Sequence, residues 1–298
     1  MMVSVTDTAN PCNKAVLAAF GLGTDDEPLG RGGEAATYAL DGDRILRVLH
    51  PGGDIDQIRR NKALLRDLNA SAVSFQIPEI LEFGDIGGRA YGIERLLPGS
   101  SLVELLKTIE GPERDHLIES YLEAAHALGD LRRGGWNFYG ELAIAQPVRT
   151  ETWREFLTKR AAKSLAKAGY PLDQVDAAGL ALDLPEPARP EFVHLDAFAG
   201  NMLTDGARIT AILDFGPTCI AGDRRFDPLA AAVYLEPQHL LLPISTTRDM
   251  DVARSWLRSV GLLDMLEPAR RWLAAYWAFA VNDAPLQSWC RSVLLQSR

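Results

Sequence analysis

The chain has 298 residues, 47% of them hydrophobic and 24% charged, with a formal net charge of -9. This length holds two lobes or one large domain with a sizeable core. The negative balance excludes non-specific nucleic-acid binding, which needs Lys and Arg to displace counterions from phosphates.

The first residues, "MMVSVTDTANPCNKAV", lack the basic-then-apolar pattern of a signal peptide. "NKAVLAAFGL" (Asn13–Leu22) reads as a short helix stopped by glycine. A glycine-rich turn, Gly30-Arg31-Gly32-Gly33, then precedes two strand-like runs, Ala35–Leu40 and Arg44–Leu49. These flank Asp41-Gly42, a strong hairpin signal. "DIDQIRRNKALLRDLNA" follows, with Ile55, Ile58, Leu65 and Leu68 near helical spacing. "IPEILEFG" and "RAYGIERLL" read as two further strands. Strands with one helix predict an antiparallel sheet for this segment.

"LPGSSL" (Leu97–Leu102) is a Pro-Gly-Ser break, which predicts a boundary between units 1–96 and 97–298. Beyond it helices are expected at about 101–109, 113–133, 151–169, 224–235, 248–260 and 266–281. The Pro-rich loop "DLPEPARPEF" leads into two short β-branched segments, Phe192–Val193 and Ile209–Leu213, that interrupt the helical run. No apolar run reaches the ~18–20 residues that a membrane helix needs. Cys12, Cys219 and Cys290 lie far apart, with no Cys or His nearby at ligand spacing. That argues against a disulfide framework or a zinc site and fits a reducing compartment. A cytoplasmic protein without membrane segments is the expectation.

The interruption carries the chemistry. In "FVHLDAFAGNMLTDGARITAILDFG", His194, Asp196 and Asn201 form H-x-D-x4-N, and Asp214 opens Asp-Phe-Gly 18 positions after Asp196. Four chosen residue types at fixed offsets match by chance on the order of 10⁻⁵ per position. Buried polar groups serving only the fold are the alternative, but a lone buried carboxylate is costly and a set suggests a site. Such a set suits phosphoryl transfer. Asn and Asp supply hard oxygens for Mg²⁺. A separate carboxylate can face an incoming hydroxyl, orient it and accept its proton. The glycine-rich turn can bring backbone N–H groups to phosphate oxygens without Cβ obstruction.

Taken together, "LGRGGEAATYAL", "ILRVLH", "YGIERLLPGSSL", "HLDAFAGNML", "ITAILDFG" and "GDRRFDPLAAA" make the chain resemble the aminoglycoside phosphotransferase/choline kinase-like family. The resemblance covers nearly the whole chain. It implies an α+β, bilobal protein-kinase-like fold, with a small antiparallel-sheet lobe over 1–96 and a mainly helical lobe over 97–298. It also implies transfer of the γ-phosphate of ATP, with Mg²⁺, to a hydroxyl of a small molecule. Asp196 is then the catalytic base, and Asn201 and Asp214 hold Mg²⁺. N–H groups around Gly30, Gly32 and Gly33 cover the phosphates, and Arg47 grips them. Backbone groups at Glu94 and Leu96 meet adenine. His194 braces the loop, and Asp227 bonds its backbone, while Asp223 caps the segment before.

The chain departs from the family pattern at four places. Arg47 stands where Lys is usual, and Asn61 falls where a helix Glu partner is expected. Leu195 and Phe198 replace the glycine and polar group often found there. An Arg47–Asn61 hydrogen bond without charge is the resulting expectation. A protein-kinase role is disfavoured, since only the ten residues Pro217–Phe226 separate Gly216 from Asp227, too few to seat a peptide. A non-catalytic nucleotide-binding module is the other reading. No motif selects among aminoglycosides, macrolides, choline, homoserine or fructosamines, and none indicates GTP or an oligomeric state. Two aromatic groups, Trp136/Phe138/Tyr139 and Trp272/Tyr276/Phe279, read mainly as core.

Overall fold

The computed structural model describes residues 11–68, 70–131, 136–169, 171–236 and 244–295. The Cys12 thiol and the last two positions of the helix expected over 113–133 lie outside the described residues. In chain order the first part holds α1 (Pro11–Ala19), β1 (Gly30–Arg31), β2 (Ala35–Ala39), β3 (Arg44–Leu49), α2 (Ile55–Asp67), β4 (Ile80–Ile86) and β5 (Arg89–Arg95). The five strands form one antiparallel sheet of order β1-β2-β3-β5-β4. The hairpin signal at Asp41-Gly42 is met: β2 and β3 pair from Ala35↔Leu49 to Ala39↔Ile45.

Period-two alternation gives the sheet two faces. Leu46 and Val48 of β3, with Ile93 of β5, pack with Val16 and Leu17 of α1. The opposite face meets α2, whose Ile58 packs with Ile80 and Ala90. Because Ile45 pairs with Glu94 and Arg47 with Gly92, the side chains of Arg47 and Glu94 share the α2 face. Asp54 starts α2 by accepting from the Asp56 N–H.

The rest of the chain is mainly helical. It holds β6 (Ser100–Ser101), α3 (Leu102–Leu106), α4 (Gly111–Ala127), β7 (Tyr139–Glu141), β8 (Arg149–Thr150), α5 (Trp153–Ala168) and α6 (Ala177–Leu182). Then follow β9 (Glu191–Val193), β10 (Met202–Thr204), β11 (Ile209–Ile212), β12 (Ile220–Gly222), α7 (Phe226–Tyr234), α8 (Thr247–Ser259), α9 (Leu266–Trp277) and α10 (Ala284–Leu295). The architecture is the bilobal kinase-like α+β fold. Helices α6 and α10 go beyond the sequence expectation. Helix α10 buries Leu286, Trp289, Cys290, Val293 and Leu294, an i, i+3, i+4, i+7, i+8 pattern that was there to be read.

The expected core role of Trp272 and Tyr276 is observed: Trp272 stacks on Tyr276 at 5.3 Å and both are buried. Cys219 and Cys290 are free, buried thiols. Arg114 and Asp249 form a buried ion pair at 2.7 Å that ties α4 to α8, and the Asp249 carboxylate also accepts from the Thr246 N–H in the α8 capping box. No described helix is long and apolar enough to cross a membrane.

Two small sheets position the polar stretch. One has the order β11-β10-β6 and the other β8-β7-β12-β9. Strand β6 follows the Pro98-Gly99 break and pairs with β10. Gln76, before β4, donates its N–H to the Thr210 carbonyl at 2.8 Å and accepts from the Ile212 N–H at 3.0 Å. Thr210 also donates its hydroxyl to the Pro98 carbonyl. The five-stranded sheet is thus stitched to the β10–β11 hairpin from two directions.

Gly99 sits at this joint with φ +120°. A Cβ there would stand 3.0 Å from the Thr204 carbonyl oxygen and closer still to Thr210 Oγ1. Gly99→Ala is therefore expected to destabilise the protein by roughly 2 kcal/mol or more, from positive-φ strain plus the clash with backbone. Denaturant midpoints of the two proteins check this.

Candidate active site

The loop after β9 is held from below. Asp227, in the first turn of α7, accepts the N–H of His194 at 2.9 Å and the N–H of Leu195 at 2.8 Å. At the other end of the same helix, Tyr234 donates its hydroxyl to the Leu195 carbonyl at 2.6 Å and itself accepts from Trp277 Nε1 at 2.9 Å. These bonds hold Leu195 at φ +62°, a conformation costly for a branched side chain. The chain turns sharply there and Asp196 follows. Glycine is favoured at such a position for this reason; here flanking hydrogen bonds and burial of Leu195 hold the turn.

His194 is the brace between two segments. Its Nε2 lies 3.1 Å from the Leu213 carbonyl, and its Nδ1 accepts from the Asp196 N–H at 3.3 Å. Burial holds its pKa down at about 4. A neutral ring protonated on Nε2 satisfies both contacts. The Phe215 ring meets the His194 ring edge to face at 4.6 Å and stacks on Phe192 at 5.7 Å. Asp214 itself has φ +63°, a left-handed turn two residues beyond the end of β11.

Asn201 completes the group. Its Nδ2 donates to the Asp196 carbonyl at 2.9 Å and to Asp196 Oδ2 at 3.3 Å, and its own carbonyl accepts from the Leu213 N–H. With the amide nitrogen spent on Asp196, Oδ1 is the atom available for a cation. Phe198 packs edge-on to Tyr234 and over Gly200, where a Cβ would come within 2.6 Å of its ring. Its role here is to anchor the loop.

The expectation for Arg47 needs correcting. Its guanidinium contacts no Asn61 oxygen; Asn61 Oδ1 instead accepts from Gln57 Nε2 at 2.6 Å. Arg47 lies 3.4 Å from Glu94 Oε1 and 3.4 Å from Asp214 Oδ1. The acid partner comes from the neighbouring strand, because the register puts Glu94 diagonal to Arg47 across Gly92, which has no side chain to intervene. The Leu96 N–H is also already donated, to the Asp43 carbonyl at 2.8 Å, so it is not free for a base. Glu94 lies within the ladder, and what it offers the cleft is its carboxylate. At Gly30 and Gly33 a Cβ would meet no protein atom within 4 Å, and at Gly32 it would meet one at 3.7 Å. The chain itself has no steric need of these glycines; the open space fits an approaching ligand.

Negative charge is in excess. Burial, then Asp214, then Glu34 push the Asp196 carboxyl well above the usual aspartate range, against a lowering bond from Asn201. Burial and Asp214 likewise raise Glu34, and burial raises Glu94 against the pull of Arg47. Sequence reasoning passed over Glu34, Tyr234 and the Glu94 side chain. Among the described residues no three His, Cys, Asp or Glu side chains gather at metal spacing. One amide oxygen and one carboxylate suit a cation that takes its remaining ligands from phosphate and water.

A model of the phosphotransferase enzyme family matches residues 25–243. Hygromycin-B 4-O-kinase from Escherichia coli is 26% identical over 229 residues, covering 74% of this chain and 65% of that protein's length. The streptomycin–ATP ternary complex of APH(2")-IIa superposes with a TM-score of 0.56 at 16% identity, covering 91% of this chain and 90% of that one. A putative fructosamine-3-kinase from Haemophilus somnus superposes at 0.58 with 15% identity, covering 95% and 97%.

Burial pushes the Asp227 carboxyl up to about 7, although the two loop N–H groups pull it down. An unfolded aspartate titrates near ~3.9. Between these values the folded protein keeps a proton that the unfolded chain has released. The stability contributed by Asp227 therefore falls as pH rises through this window, by about 1.4 kcal/mol per unit, and is level above it. Asp227→Asn has no such proton to lose. Its stability relative to wild type is expected to climb with pH from about 4 to about 7. Denaturant midpoints across that range check this; a difference independent of pH would mean an ionised carboxylate throughout.

Proposed function

The chain belongs to the phosphotransferase enzyme family, and on that footing we propose that it moves the γ-phosphate of ATP to a hydroxyl of a small molecule. The observation that carries this is the convergence of Asp196, Asn201 and Asp214, joined through His194 and the Asn201 amide. Asp196 faces the acceptor, orients its hydroxyl and receives its proton. Its raised affinity for protons suits a base that must hold one during transfer. Asn201 Oδ1 and the Asp214 carboxylate hold Mg²⁺, which would neutralise charge on the phosphates when bound. Arg47 supplies a second positive charge and a two-pronged donor for phosphate oxygens. The N–H groups of the Gly30–Gly33 turn cover them. Catalysis then comes from in-line positioning and charge neutralisation.

We place the lobe boundary at 96/97 and the acceptor on the side of 97–298. The chain spans 65% of the length of the Escherichia coli relative, a kinase of hygromycin B. Streptomycin lies with ATP in one of the structural neighbours. Amino-bearing polyols are therefore the first acceptors to screen. The net charge of -9 favours approach of such cations over anionic acceptors.

Calorimetry with Mg·ATP, paired with ADP release from a library of hydroxyl compounds, tests the proposal. Asp196→Asn is expected to keep binding and lose turnover by about 10²-fold or more. Asp214→Asn is expected to weaken the metal-dependent part of binding. Wild type that binds no Mg–nucleotide would sink the enzyme reading. Wild type that binds but transfers phosphate to nothing, water included, favours a nucleotide-binding module. The pH–rate profile gives a further check. Turnover needs the ionised form of Asp196, so it should fall on the acid side, and a profile with no acid limb would remove Asp196 from the base role.

A further inference from the structure

Arg47 needs a counter-charge that holds it still before a ligand arrives. A guanidinium left without a partner would swing among many rotamers, and ordering it on binding would cost affinity. Helix α2 offers Asn61, which carries no charge and whose Oδ1 is occupied by Gln57. Strand β5 offers Glu94, buried, with Oε1 3.4 Å from Arg47 NH1. Arg47, Asn61 and Glu94 line one cavity of about 40 Å³ between the sheet and α2, and Arg47 is the only cation among the residues described there.

We propose that Glu94 is the positioning residue for Arg47, doing from the adjacent strand what the helix position Asn61 cannot. The inference rests on the phosphotransferase reading above and names a part of that site. It has a mechanical consequence. Arg47 and Glu94 sit on paired strands, Ile45↔Glu94 and Arg47↔Gly92, so their spacing is set by one ladder. Movement of α2 would leave the pair intact. The arginine would be ready for phosphate whether or not the helix is seated. Asp214, the second partner of Arg47, is expected to be surrendered when Asp214 turns to a cation, leaving Glu94 as the fixed contact.

The test moves the acid. Glu94→Gln keeps the shape and removes the charge; Glu94→Gln with Asn61→Glu returns a carboxylate from the helix side of the same cavity. Kd for Mg·ATP by calorimetry, KM for nucleotide and for acceptor, kcat, and Tm are read for each. Glu94→Gln is expected to weaken Mg·ATP binding about tenfold, the loss of one charge-assisted contact. KM for nucleotide should rise in step, with KM for acceptor unchanged. The double variant should recover at least half of that loss on a logarithmic scale. A Glu94→Gln protein that binds Mg·ATP like wild type overturns the proposal, as does a double variant no better than the single one. Should Glu94→Gln fail to fold, Glu94→Asp keeps the charge one methylene short. It should raise the nucleotide KM severalfold and spare the acceptor KM; an unchanged nucleotide KM overturns the proposal. Wild type that binds no Mg·ATP is a different failure, seen before any variant is made, and it takes the phosphotransferase reading down together with this one.

Discussion

One carboxylate supports the polar centre of this protein. Asp227 receives two consecutive backbone N–H groups, those of His194 and Leu195, and is itself fully buried. A buried carboxyl without such donors would be strongly unfavourable, and two buried N–H groups without an acceptor would be as well. Each side makes the other tolerable. The geometry this enforces is a left-handed Leu195, and from that turn the rest follows. Asp196 points out of the loop, His194 points back to Leu213, and Asn201 can reach the Asp196 carbonyl. Tyr234, at the end of the same helix, holds the Leu195 carbonyl and is itself held by Trp277.

The second constraint is electrostatic. Asp196, Asp214, Glu34 and Glu94 bear on one another across the cleft, and Arg47 stands among them. Their mutual repulsion, added to burial, holds Asp196, Glu34 and Glu94 above their usual ranges. Such a cluster favours the arrival of positive charge. Arg47 bridges Glu94 and Asp214, so it holds the cluster together.

The polar centre is also braced by short sheets. Strand β12 lies between β7 and β9, with Ile220 opposite Val193, so the segment after Asp-Phe-Gly is pinned beside the strand that leads into His194. Strand β6, directly after the Pro98-Gly99 break, pairs with β10. These pairings join parts of the chain about 30 to 100 positions apart. They leave little slack between Gly216 and α7.

Much was legible in the sequence because the signals were local. The H-x-D-x4-N spacing, the Asp-Phe-Gly, the Asp41-Gly42 hairpin and the Pro-Gly break each act over a few residues, and local backbone chemistry decides them. The roles of His194 as brace and Asp227 as backbone acceptor were implied by the family resemblance, and the contacts display both. What the sequence could not decide was which charge meets which. Asn61 stood at the expected helix position, and nothing in "YGIERLL" told that Glu94 would turn its side chain to Arg47. That depends on strand register: a slip of one residue would send Glu94 to the opposite face, toward α1. The same holds for the Leu96 N–H, taken by Asp43 once β3 and β5 align, and for Tyr234, which meets Leu195 only when α7 packs beneath the loop. The sequence by itself determined the chemical groups and their local turns. Tertiary structure alone chose their partners, because pairing across strands and between helices is fixed by packing and register, not by neighbours along the chain.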